Sequence, residues 1–308
     1  MGCSFVIWPS VITSLAIHSY RSEIQMLTTE RITPALGAVI SGPDFSKPLT
    51  SDVHDQIYQA LIEHQVIFIR GADISPENHL DFARSFGELD EPHPLYPHVE
   101  GYENIVLLDN DGKIPPDTNC WHTDLTFKAE QPFASVLVAR HMPECGGDTM
   151  WASCYAAYDR LPEGMKQDLS TLEAVHDLGD FRNNFRHPLN EKTPAERLNS
   201  AVGRFGHQVR PLIDTHPVTG RHFLNFNETF VTFILGMTAN ESNELKVWLA
   251  NHMNKPEYQM RWRWQNGDLA MWDNRVTMHY AVADYLPQNR CMNRITIIAD
   301  RRAGQNIA

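Results

Sequence analysis

Two side chains near the middle of the chain carry the first suggestion of chemistry. The stretch NCWHTDLTF (119–127) sets His122 and Asp124 two positions apart. In an extended segment such residues point to the same side, so an imidazole nitrogen and a carboxylate oxygen could meet at one ion. Two donors do not make a site, and taken alone the pair reads more readily as a solvated polar turn. A third donor must come from elsewhere among the 15 histidines. Two histidines and one carboxylate with open positions suit a non-haem Fe(II) centre, whereas structural zinc is closed by four ligands.

The C-terminal stretch GDLAMWDNRVTMHYAVADYLPQNRCMNR offers that third donor and something more. His279 stands eleven residues before Arg290 and fifteen before Arg294. On a strand the two arginines share a face about 13 Å apart, at roughly 3.3 Å per residue. Guanidinium groups turned inward need anions to meet; salt bridges at a sheet rim are the alternative.

The elements that must hold these residues are legible in part. Residues 52–65 place Val53, Ile57 and Leu61 at helical spacing behind the cap candidates Thr50 and Ser51. VIFIR (66–70) then reads as a buried strand. A second helix starts at Ser75 and Pro76 and is expected to stop at Gly87, and a third spans 240–253. Further strands are expected at 103–108, 134–140, 222–226, 258–264 and 294–300. In YQMRWRW (258–264), Tyr258, Met260, Trp262 and Trp264 alternate with Gln259, Arg261 and Arg263, a period of two with one wet face. There is no βαβ alternation. The pattern predicts a mainly β protein, a sandwich or jelly-roll core with peripheral helices.

Bulk properties narrow the function. The 308 residues are 42% hydrophobic and 21% charged, an ordinary globular balance. A net charge of -12 without a Lys/Arg-rich run argues against nucleic-acid or anionic-membrane partners and favours a small-molecule ligand. The five cysteines, Cys3, Cys120, Cys145, Cys154 and Cys291, show no CxxC spacing, which fits a reducing cytoplasm. The apolar residues 1–25 lack a basic n-region and a cleavage site and read as an extension outside the fold, with a single domain over 26–308.

WHTDLTF, GGDTMW, YQMRWRWQNGDLAMWDNRVTMHYAVADYLPQ and the two arginines together resemble the TauD/TfdA family of Fe(II)/2-oxoglutarate-dependent dioxygenases, its taurine-using members most. The likeness runs from about Ile32 to Arg302. It implies a double-stranded β-helix (jelly-roll) core and a homo-oligomer, with Fe(II) held by His122, Asp124 and His279 and with 2-oxoglutarate and O2 as cosubstrates. By the same matching, Thr149 and Arg290 hold the distal carboxylate of 2-oxoglutarate, a pairing that suits a hydroxyl and a bidentate guanidinium. Arg294, His93 and the Leu125 backbone amide would grip a substrate sulfonate. Tyr96, Phe230 and Phe185 would line the rest of the pocket, with Asp117, Thr118 and Asn184 toward the substrate amine.

The departures fall on that amine side. Thr118 stands where taurine-using relatives commonly carry Asn, HDLGDFRNNF is about three residues longer than its counterpart, and Asn184 replaces a small hydroxyl residue. The resemblance therefore implies hydroxylation of the carbon next to sulfur in taurine or a related small sulfonate. Sulfite and an aldehyde would be released, with succinate and CO2. The alternatives are a relative acting on an alkyl sulfate or a small carboxylate, a non-catalytic binding protein on the same fold, and a zinc hydrolase, which would leave Arg290 and Thr149 without a role.

Overall fold

The computed structural model of the chain describes residues 26–93, 96–112, 119–179 and 193–303; the expected extension 1–25 lies outside them. The chain runs through strands β1 (Thr28–Arg31) and β2 (Ala38–Ser41), helix α1 (Ser51–His64) and β3 (Val66–Ile69). Helix α2 (Pro76–Arg84), β4 (Gly87–Leu89), β5 (His98–Val99) and the long β6 (Tyr102–Asn110) follow. Next come β7 (Ala134–His141), β8 (Thr149–Ser153), α3 (Cys154–Asp159), α4 (Glu163–Leu169) and β9 (Glu173–His176). Helix α5 (Pro194–Phe205) leads into β10 (Gln208–Pro211), β11 (Ile213–Thr215), β12 (His222–Leu224), β13 (Val231–Ile234) and α6 (Ala239–Met253). The last four strands are β14 (Gln259–Trp262), β15 (Leu269–Asp273), β16 (Thr277–Ala281) and β17 (Arg290–Asp300).

Nine strands make one mixed sheet in the order β1-β2-β3-β15-β7-β17-β6-β5, with β4 against β17. Within it β2 and β3 run parallel, and β7 and β17 antiparallel. A three-stranded sheet, β14-β8-β16, faces it. Between the two lies a core of Phe68, Leu137, Trp272 and Met292 from the large sheet and Trp151, Met260 and Trp262 from the small one. Phe68 stacks on Trp262 at 4.1 Å between ring centroids. Burying such side chains contributes about 1.5–3 kcal/mol each. This is the expected jelly-roll sandwich with helices outside.

The period of two decides which residues enter it. On β7, Val136 and Val138 pack outward with α1 and α2, while Leu137 and Ala139 face the interior. On β17, Ile295 and Ile297 face the helices and Met292 the interior, so Arg290 and Arg294 enter the interior with Met292. On the small sheet, Ala152 and Met278 face the outer helices, which turns Thr149, Trp151 and His279 inward. Thr149 and His279 therefore look across the sandwich toward the two arginines.

Thr50 caps α1 by accepting from the Val53 amide, and Ser75 caps α2 from Asn78, as expected from their positions. Two expectations are corrected. Helix α2 ends at Arg84 with Ser85 as its cap, not at Gly87. Gly87 instead opens β4, where a Cβ would lie 1.7 Å from the Ala299 carbonyl, so the glycine serves close strand approach. In 258–264 only Gln259–Trp262 is strand, although the alternating burial continues to Trp264. No helix among the described residues is long and apolar enough to cross a membrane.

Candidate metal centre

The backbone sets the centre before any side chain does. His122 and His279 form an isolated antiparallel bridge, each amide donating to the other's carbonyl at 3.1 and 2.8 Å. Thr123 Oγ1 donates to the Thr277 carbonyl at 3.0 Å. Asn274, fully buried just after β15, then treats Asp124 as a strand partner. Its Oδ1 accepts from the Asp124 amide and its Nδ2 donates to the Asp124 carbonyl, both at 3.0 Å. Three consecutive residues are thus fastened to the segment that carries His279.

On this frame His122, Asp124 and His279 are all buried, with potential ligand atoms within 4.8 Å of one another. His122 Nε2 lies 3.7 Å and His279 Nε2 3.8 Å from Asp124 Oδ1. His122 Nδ1 donates to the Cys120 carbonyl at 2.9 Å, which turns Nε2 toward the carboxylate; against the effect of burial, Cys120 and the Asp124 charge together raise the His122 pKa. That Nε2 is buried with no hydrogen-bond partner among the described residues. Burial would raise the Asp124 pKa, but Arg294 and the two imidazoles hold it well below the usual carboxylate range, so it is ionised. His279 is held far below its ordinary pKa by burial and by His122, so it is neutral. An orphaned imidazole nitrogen, a neutral imidazole and a carboxylate fit a divalent first-row metal, Fe(II) among them. Among the described residues this is the one cluster of such donors.

Arg294 is closer to this centre than the sequence suggested. Its Nη1 lies 3.3 Å from Asp124 Oδ1 and 3.5 Å from Oδ2, while Ser135 Oγ donates to Oδ2 at 3.2 Å. These contacts fix the carboxylate, Arg294 from the side of the oxygen that faces the two imidazoles and Ser135 at the other oxygen. His93 is the next neighbour: its Nδ1 accepts from the Tyr96 amide at 3.2 Å, and the two rings are 4.7 Å apart. The ring proton therefore sits on Nε2, a donor. Burial and the charge of Arg294 lower the His93 pKa to about 3, so the ring is neutral.

Arg290 and Thr149, which the resemblance assigns to one carboxylate, lie side by side. Arg290 is 4% exposed. Its Nε donates to the Gly147 carbonyl at 3.0 Å and its Nη2 to Thr149 Oγ1 at 3.3 Å. Burial lowers its pKa to about 10, which leaves it charged at neutral pH. Thr149 Oγ1 also accepts from Trp264 Nε1 at 2.9 Å, so with two donors pointed at it the hydroxyl directs its own proton elsewhere.

Phe230 borders His122 with ring centroids 6.4 Å apart and is held by its amide on Asn227 Oδ1 at 2.9 Å. Asn227 is thus a support for Phe230, and Trp121 packs in the helical core against Tyr280. Leu125 has a left-handed backbone, φ 52°. The turn it occupies is fixed by Arg210, which donates to the Thr126 and Lys128 carbonyls at 2.8 and 2.6 Å. Asp117, Thr118, Asn184 and Phe185 lie outside the described residues. Asn274, Ser135, Arg210 and Trp264 were not singled out from the sequence. Asn274 left a trace there, a polar residue ending the apolar run LAMWD in the same stretch as His279.

Known proteins resemble this chain over most of its length. The family model described as "Taurine catabolism dioxygenase TauD, TfdA family" matches residues 28–296. An alkylsulfatase of Acinetobacter baylyi is 36% identical over 290 residues, covering 92% of this chain and 89% of that protein. An alpha-ketoglutarate-dependent sulfate ester dioxygenase of Pseudomonas putida is 36% identical over 285 residues, 90% of this chain and 91% of the other. Among solved structures, a taurine dioxygenase from Burkholderia xenovorans aligns with a TM-score of 0.75 at 29% identity, covering 89% of this chain and 90% of that one.

Proposed function

The chain belongs to the TauD/TfdA family of 2-oxoglutarate-dependent dioxygenases, and on that premise we propose that it hydroxylates the carbon beside sulfur in taurine or a related small sulfonate. His122, Asp124 and His279 hold the metal. When bound, Fe(II) with 2-oxoglutarate and O2 supplies the oxidant that replaces a C–H hydrogen by hydroxyl, the cosubstrate leaving as succinate and CO2. The protein's own part is placement. Arg290 and Thr149 hold the distal carboxylate of 2-oxoglutarate. Arg294, the His93 Nε2–H and the Leu125 amide grip the sulfonate, and Tyr96 and Phe230 wall the carbon chain. Asp117, Thr118, Asn184 and Phe185, outside the described residues, are proposed for the amine end of the substrate from the family resemblance alone.

The observation that carries this reading is a neutral imidazole donor and a buried guanidinium beside the metal carboxylate, a planar cation and an N–H that match a three-oxygen anion. After hydroxylation the C–S bond breaks with its electron pair on sulfur. The hydroxyl loses its proton, and sulfite and an aldehyde separate. We also read residues 26–308 as one domain with 1–25 outside it, supported by the single family match, and the protein as a cytoplasmic homo-oligomer with neither nucleic-acid nor membrane partner.

A second reading has its own support. The sulfate-ester-acting relatives are 36% identical, the taurine dioxygenase structure 29%. In an alkyl sulfate the same grip would present the carbon beside the ester oxygen, and collapse would release sulfate instead of sulfite. The Fe(II)-loaded protein given taurine and hexyl sulfate separately distinguishes them. Sulfite from taurine supports the sulfonate reading, sulfate from the ester alone replaces it by the second, and release from neither moves the substrate to another acid.

A further inference from the structure

The Tyr285 hydroxyl has no use in the chemistry described so far. Tyr285 lies in the turn between β16 and β17 and is 1% exposed, yet its hydroxyl is buried with no hydrogen-bond partner among the described residues. A buried hydroxyl left in that state is disfavoured by about 1–3 kcal/mol, so an unmet donor beside the residues assigned to the cosubstrate points to a ligand acceptor. Its position is set by Gly147, whose φ is +70°. A Cβ on that glycine would lie 3.3 Å from Tyr285 Cδ1 and 3.2 Å from Arg290 Cδ. The phenol ring and the arginine stem thus flank the same glycine, and the hydroxyl and guanidinium are electrostatic neighbours.

The neighbouring carboxylates are engaged elsewhere, Asp148 by Arg261 Nε, and neither bonds the Tyr285 hydroxyl. Asp284 is engaged by the Gly147 amide at 2.8 Å and by Arg261 Nη2 at 3.1 Å. The Tyr285 hydroxyl thus stands without an acceptor beside an Arg290–Thr149 pair whose own bonds to Gly147 and to each other leave further donor capacity. A carboxylate offers about four lone-pair sites, enough for a guanidinium and two hydroxyls.

We propose that Tyr285 is a third donor to the distal carboxylate of 2-oxoglutarate, alongside Arg290 and Thr149, and so helps select cosubstrates that carry that carboxylate. This rests on the assignment of Arg290 to the cosubstrate.

The test is calorimetric binding to the Mn(II)-loaded protein of two non-reacting chelators, N-oxalylglycine, which has the distal carboxylate, and oxalate, which does not. Tyr285→Phe keeps the ring and should weaken N-oxalylglycine about tenfold while leaving oxalate unchanged. Arg290→Met, measured alongside, should weaken N-oxalylglycine more and also spare oxalate. If Arg290→Met has no effect on N-oxalylglycine, the underlying assignment fails. If Arg290→Met acts but Tyr285→Phe leaves N-oxalylglycine within about twofold, or weakens both chelators alike, the role given to Tyr285 is overturned. Thermal melts of both variants report whether the fold is retained.

Discussion

At the scale of single residues, the centre depends on side chains that never touch the metal. Asn274 matches both main-chain groups of Asp124 and donates again to the Pro132 carbonyl at 3.3 Å. Removing it leaves buried backbone groups without partners, about 1–3 kcal/mol each, and lets the carboxylate drift. Asn274→Ala is therefore expected to lower Fe(II) affinity at least tenfold, in line with losses of about 10–100-fold for outer-shell partners, and to lower the denaturation midpoint. An anaerobic metal titration checks this, and wild-type affinity in a folded variant would contradict it. In the sequence, type and spacing singled out His122 and Asp124 only as a weak pair, and the resemblance to the family joined His279 to them. Asn274 was invisible because its meaning lies in a partner 150 residues away, and an asparagine after a strand reads equally as a turn residue. Arg294 was seen but half understood, since its contact with Asp124 exists only once β17 is laid beside β7.

At the scale of elements, strand parity does most of the positioning. The alternation in YQMRWRW was readable, and its Met260, Trp262 and Trp264 do face the interior; 134–140 was readable as a strand, but not which side turns inward, because both of its faces are buried. The short strands β4 and β5 were not readable, because two or three residues carry no period, and β4 pairs with distant β17. The Gly146–Gly147 turn that precedes β8 shows what such connections contribute. Gly147 combines φ +70° with neighbours at 3.1 Å on Pro143 and 3.2 Å on Arg290, so a methyl group there is strained in backbone and pushes on the arginine stem. Gly147→Ala should cost about 1–2 kcal/mol of stability and raise the KM for 2-oxoglutarate severalfold, with the KM for the sulfur substrate nearly unchanged. Steady-state kinetics with each substrate varied in turn checks the split; equal increases in both would argue against a local effect on Arg290.

At the scale of the whole molecule, the fold class followed from many short strands without βαβ order. What could not be read was how much polar material the interior would enclose. Three histidines away from the ligand set stay neutral in the fold: burial and nearby arginines lower His79 and His176 to about 3 and His54 to about 4. In the unfolded chain they take up protons near pH 6.5. Between pH 6.5 and those lower values the unfolded state binds more protons, so stability falls as pH drops. The metal-free protein should have a lower denaturant midpoint at pH 5.5 than at 7.5; an equal or higher midpoint would show that these rings are not held neutral. The claim that joins all three scales is that one buried His-Asp-His centre drives 2-oxoglutarate-dependent oxidation of a sulfur-bearing acid. The direct measurement is succinate formed by the Fe(II)-loaded protein with 2-oxoglutarate, O2 and taurine or hexyl sulfate, with the released sulfur oxyanion counted in parallel and Asp124→Ala run beside the wild type. The account predicts succinate and sulfur oxyanion in equal amounts from the wild type and neither above background from the variant. Wild-type rates from Asp124→Ala would contradict it.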